Sequence, residues 1–151
     1  MKFPRLKSKD LKNIPFSIPN NFSKNLNIII IPFKKSILSN LTSWRSFLRT
    51  LSTELSFIAL YEFPIYSNAS KIKETIIKGK FKQNEYQKSE LDNIIPFYVN
   101  KRRFKNNLAI LDEKEVHIFL LNREGEILWR SYGKYNLDKA QDLKRKIIEN
   151  I

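Results

Sequence analysis

The sequence predicts an α/β sandwich built on a mixed β-sheet. Three observations predict it. Residues 115–133, EVHIFLLNREGEILWRSYG, carry the pattern of an antiparallel hairpin. Two apolar runs, 25–33 and 56–66, read as buried strands, and stretches of helical periodicity follow them. Strands joined through helices imply right-handed parallel crossovers, to which a terminal hairpin adds antiparallel pairing.

Taken in order, residues 1–24 are basic and interrupted by Pro4, Pro15 and Pro19, which disfavours a long helix. Regularly placed apolar residues from Phe3 to Phe22 make this segment an extended arm or hairpin lying on a domain of residues 25–151. Asn25–Phe33 holds four consecutive isoleucines, as suits a central strand covered on both faces, and Pro32 ends it. Ser39 or Asn40 is the expected cap of the next helix. Its apolar stripe is Leu41, Trp44, Phe47, Leu48, Leu51 and Leu55, with Arg45 and Arg49 one turn apart and expected in solvent. Ser56–Tyr66 is the next strand, with Glu62 an acid among apolar neighbours and Pro64 near its end.

Asn68 or Ser70 is the expected cap of a helix running to Phe81, with Ile72, Ile76 and Ile77 inward and Gly79 near its end. Residues 82–93 are polar, and 94–99 form a short edge strand. Phe104–Leu111 is short and helical or irregular. In the hairpin, Gly125 supplies the positive φ that a tight turn demands. Asn136 is the expected cap of a last helix, whose inward face is Leu137, Ala140, Leu143, Ile147 and Ile151, with Lys144 the polar exception.

A length of 151 residues fits one domain, and a 42% hydrophobic fraction is enough to build its core. The formal charge of +13 favours anionic partners: nucleic acid, anionic lipid or acidic protein. Codon bias is the competing source of that charge, since lysine, asparagine and isoleucine are all abundant. With no cysteine there is no disulfide, thiol catalysis or thiolate metal site. The longest apolar run is too short to span a bilayer, so no transmembrane segment is expected.

Ser36, Ser39 and Ser43 would each need a base to act as nucleophiles, and His117 is the only histidine, placed inside a strand. No motif for a metal, phosphate or other cofactor is present, so none is expected. Glu62 and Arg130 both stand in apolar strands and are a candidate pair, with a structural ion pair or two independently solvated ends the simpler reading. Arg45, Arg49, Lys101, Arg102 and Arg103 are the candidate polyanion-binding residues. Lys34 and Lys35 follow the end of a parallel strand, where open α/β sheets bind ligands.

The order β-α-β-α-β-β-α resembles a thioredoxin fold in its peroxiredoxin-like elaboration, a three-layer sandwich. HIFLLNREGEILWRSYG is similar to the final hairpin of peroxiredoxins, and FPRLKSKDLKNIPFSIPNNFSKNLNIIIIPF resembles their N-terminal hairpin and first core strand. NLNIIIIPFKKSILSNLTSW, ALYEFPIY and LLNREGEILWRSYG resemble a cysteine-free bacterial thioredoxin-like group of unknown activity. That group is remotely similar to the assembly factor of the mitochondrial ATP synthase membrane sector. Peroxiredoxins and thioredoxins place cysteine just after the first core strand, where this chain has KKSILSNLTSW; thioredoxins also have a cis-proline before the hairpin, where this chain has Asp112–Glu115. Both halves of the redox site are missing, and no catalytic residue carries over.

The expectation is a noncatalytic protein that binds or assembles a protein partner through Lys34, Lys35, Ser36, Tyr61, Glu62, Pro64 and Arg130. The resemblance implies that the partner is a membrane-complex subunit and the location cytoplasmic or in an organellar matrix or stroma, peripheral at a membrane. The alternative is a module that binds nucleic acid or anionic membrane through its basic surface.

Overall fold

The structure, a computed structural model, describes residues 1–33, 36–68, 71–83 and 92–151, with the side chains of 82 and 83 outside the description. Lys34 and Lys35, the cap at Ser70 and most of the 82–93 segment therefore lie outside the described residues.

The centre is a four-stranded sheet of order β4-β3-β7-β8. Here β3 is Leu26–Ile31, β4 Ile58–Glu62, β7 His117–Asn122 and β8 Ile127–Tyr132. β3 runs parallel to β4 and antiparallel to β7. Every residue of β3 is buried, as is β7 through Leu121, because both faces of these strands are covered. Pleating sends alternate side chains to opposite layers. Ile28, Ile30, Ile118 and Leu120 pack under helix α1 (Leu38–Glu54) and the last helix (Leu137–Glu149). Ile29, Ile31, Phe119 and Leu121 pack against the N-terminal segment and a helix at Lys101–Asn107. These three layers sandwich a mixed sheet.

The first 24 residues form a hairpin, β1 (Leu6–Lys9) against β2 (Pro15–Ile18). Phe3, Ile18 and Phe22 are buried in the core, so the basic segment is held by its apolar residues. Met1 and Phe3 also make backbone hydrogen bonds to Ile127 and Gly125 at the hairpin tip. Gly125 has φ 85° and closes that turn.

Several boundaries differ from expectation. α1 is capped by Ile37, with no side-chain hydrogen bond at the cap. The carbonyl of Ser39 instead accepts from Ser43 Oγ at 2.9 Å, inside the helix. The 56–66 strand is two strands, β4 and β5 (Ile65–Ser67), because Pro64 lacks an N–H and the chain changes partner there. Phe63 N–H still donates to Ile30, whereas the Pro64 carbonyl accepts from Phe97 in β6 (Phe97–Val99). β5 and β6 pair in parallel.

Helix α2 (Lys71–Gln83) runs past Gly79. Of its three isoleucines only Ile77 is buried; Ile72 and Ile76 are exposed, because nothing described packs on that side. Helix α3 begins at Lys101, capped by Asn100, whose side chain accepts from Arg103 N–H. Asn136 caps the last helix, α4, in the same way toward Lys139. Leu137 and Ile151 lie exposed at its two ends, beyond the reach of the sheet. Among the described residues, no helix is long and apolar enough to cross a membrane.

Candidate functional site

Parallel strands β3 and β4 end at Ile31 and Glu62, shortly before Pro32 and Pro64. Beyond these ends lies a cleft of about 550 Å³. Pro32, Phe33, Pro64, Ile65 and Tyr66 give it an apolar floor from the strand ends, and Ile76, Ile77 and Phe81 wall it from α2. Its charged lining is entirely cationic among the described residues: Arg45 from α1, Lys73 and Lys80 from α2, and Lys101 from α3.

Glu62 is the acid that orders one side of this region. It is 7% exposed. Arg45 Nε donates to its Oε1 at 2.9 Å, and Arg45 Nη2 reaches the same oxygen at 2.5 Å. The candidate pairing of Glu62 with Arg130 is not formed. β4 and β8 are opposite edges of the sheet, and the register puts Glu62 level with Ile30 and Ile118, but Arg130 level with Phe119. Adjacent register positions face opposite layers, so the two side chains are separated by both strand order and pleat. Arg130 instead lies over the Phe119 ring at 4.8 Å. Burial lowers its pKa from the ordinary value. Arg45, expected in solvent, is half-buried because its reach brings it to Glu62.

The other sequence-selected residues divide sharply. Pro64 lines the cleft. Ser36 Oγ accepts from Phe33 N–H at 2.9 Å, closing the loop after β3. Tyr61 is on the opposite face, buried between Phe16 and Phe22 at 5.5 and 5.6 Å, and is withdrawn from any partner surface at the cleft. Burial raises its pKa, against a hydrogen bond with Ser23. Lys101 donates to Glu113 at 2.9 Å, with Lys105 on the second oxygen at 3.3 Å. The Lys101 hydrogen bond is the chief reason that the Glu113 pKa is lowered. Arg49, Arg102 and Arg103 are exposed and do not line the cleft. The five candidate cations for polyanions are therefore not one patch with a common role: Arg45 and Lys101 are engaged with acids.

His117 is 4% exposed among Phe33, Phe119 and Tyr132, and neither ring nitrogen has a hydrogen-bond partner among the described residues. A Ser–His catalytic pair is accordingly not formed there. Burial, and secondarily the Arg130 charge, push its pKa down to about 4.

Three features escaped the reading of the sequence. Lys73 and Lys80 bring charge to the cleft; their spacing of two helical turns was the available signal. Tyr66 stacks on Tyr98 at 5.8 Å, and the Tyr98 hydroxyl is buried without a partner among the described residues. Burial, then the charges of Glu74 and Tyr66, push the Tyr98 pKa up to about 12. Finally, Ile37 and Leu38 are 52% and 70% exposed where α1 begins. Ile37 N–H donates to Lys114 at 3.3 Å, which ties this end to the loop containing exposed Leu111.

A mixed sheet between two layers and an α1 that starts beyond the end of β3 make a thioredoxin-like fold, in a chain that has no cysteine. No family model matches the chain, and no curated protein sequence matches it. Solved structures do match in fold. The exposed lipoprotein thioredoxin Etrx1 of Streptococcus pneumoniae aligns with TM-score 0.62 at 9% identity, covering 96% of this chain and 99% of that one. The thioredoxin domain of a thiol-disulfide oxidoreductase from Bacteroides vulgatus aligns with TM-score 0.59 at 13% identity, covering 98% and 96%. BsSco, a member of the Sco family of cytochrome c oxidase assembly proteins, aligns with TM-score 0.63 at 11% identity, covering 96% and 92%. Identities this low speak for the fold alone.

Proposed function

We propose that this chain is a noncatalytic thioredoxin-like binding protein that holds a protein segment at the end of the sheet where α1 begins. One observation carries the reading: Ile37 and Leu38 are exposed at the start of α1. Two neighbouring aliphatic side chains left in water, at an end tied to the loop that carries exposed Leu111, support a contact surface here. Arg45, Lys73, Lys80 and Lys101 line the cleft at this end, so the segment that complements it is apolar with acidic residues. Residues 25–151 form the binding unit in this reading, with the N-terminal hairpin as a packed arm. The remote similarity of the resembled bacterial group to an assembly factor, together with the fold shared with an assembly protein, supports a membrane-complex subunit as the partner. The protein would then act in the cytoplasm or an organellar matrix, peripheral at a membrane.

A photo-crosslinking residue at position 38, with one at position 148 as a control, tests this in intact cells. Ile148 is 69% exposed on α4, far along the chain from the proposed surface. A discrete protein adduct at 38 only, retained after nuclease treatment, is the expected result. Equal adducts at both positions, or adducts only with nucleic acid, would overturn it. The second reading, polyanion binding, draws on exposed Arg102 and Arg103 and predicts affinity that falls steeply with salt.

A further inference from the structure

We infer that the cleft beyond β3 and β4 is a binding site for a small organic acid, a ligand with one anionic head and an apolar or aromatic body. The inference gives a second occupant to the cationic cleft invoked above and does not rest on Ile37 and Leu38. A volume of about 550 Å³ falls in the range of small-molecule sites, 300–1,000 Å³. The walls are chemically divided. Phe33, Ile65 and Ile77 offer apolar surface, and the Tyr66 ring is held in place by its stack on Tyr98.

Among the described residues, the charged groups of the lining are all of one sign. Arg45 and Lys101 are fixed by carboxylates that do not themselves line the cleft, Glu62 and Glu113. Their heads are thus positioned before a ligand arrives, and little side-chain entropy remains to be lost. Lys73 and Lys80 add charge from the opposite helix. Glu74, close enough to act on the Tyr98 hydroxyl, is the third nearby acid. Among the described residues, a lining that holds cations and no carboxylate suits an anionic head. A carboxylate or sulfonate on the cationic side would leave its body against Ile77 and Tyr66.

The test uses anilinonaphthalene sulfonate as a fluorescent probe and decanoate as competitor, on the full chain and a K73Q/K80Q variant. Saturable probe binding that decanoate displaces, while acetate and decanol do not, is expected. The variant should weaken binding by roughly tenfold or more, as the removal of charge-assisted contacts implies. A K7Q/K9Q variant, which removes two exposed lysines of β1 outside the cleft, should bind as the parent does. No saturable binding, indifference of affinity to K73Q/K80Q, or an equal loss in K7Q/K9Q would each overturn the inference. Should K73Q/K80Q fail to fold, chemical-shift mapping of decanoate on the unmodified chain decides it. Shifts centred on Ile77 and Tyr66 support the site, and shifts elsewhere refute it.

Discussion

The single histidine permits an unusually direct test of the core. His117 is enclosed by Phe33, Phe119 and Tyr132, with Arg130 adding a positive charge nearby, and its pKa lies near 4 instead of 6.5. The folded state thus disfavours the imidazolium, whereas the unfolded chain accepts the proton at ordinary pH. This contribution to stability is intact above about pH 6.5, declines as pH falls, and is lost by about pH 4. At 1.36 kcal/mol per pKa unit, the drop amounts to roughly 3 kcal/mol. Replacing His117 by Phe keeps a ring in the stack and removes the titration. Urea unfolding of both proteins at pH 7.5 and at pH 4.2 measures the difference. H117F should lose about 2–3 kcal/mol less than the parent between these values. The imidazole Cε1–H resonance of the parent should titrate near pH 4. A midpoint near 6.5, or an unchanged pH dependence in H117F, would refute the reasoning.

Gly133 has φ 80°, and an added Cβ would lie 2.9 Å from Glu115 Oε2, so G133A should cost about 1–2 kcal/mol in urea unfolding, mostly through backbone strain. Trp44 is fully buried and donates through Nε1 to the Gly133 carbonyl at 2.8 Å. W44F leaves that acceptor unsatisfied and should cost about 1–3 kcal/mol, measurable as a lowered urea midpoint. L38D changes an exposed residue and should leave stability within about 0.5 kcal/mol while abolishing partner capture in a pull-down; retained capture would count against the proposed surface.

The sheet was legible because its signals are local. Four isoleucines in β3 and the doubly apolar run of β7 can only be strands covered on both sides, and Gly125 marks the turn between β7 and β8. The site was legible only in part. That Glu62 needs a partner follows from the cost of burying a carboxylate. Which partner it finds depends on strand order, and no spacing in the sequence distinguishes Arg45 on an adjacent helix from Arg130 on the far edge. Arg45 adjoins the apolar stripe at Trp44, and whether such a flanking side chain reaches inward is decided by what the helix lies against. Ile72 and Ile76 show the reverse: the periodicity of α2 is present, but nothing described covers that side. The strand break at Pro64 was visible as a proline, yet the exchange of partner from β3 to β6 is tertiary.

The order β4-β3-β7-β8 also governs when the chain can fold. As the chain leaves the ribosome, β3 emerges early and β4 can pair along one of its edges. Its other edge is completed only by β7, for Ile30 faces Ile118. Throughout the synthesis of the intervening residues, a strand of bare isoleucines waits with unpaired backbone groups, the kind of edge that recruits other chains. Closing so long a loop is slow as well as late. A chain stalled before the final hairpin would therefore expose an aggregation-prone edge that the complete chain covers.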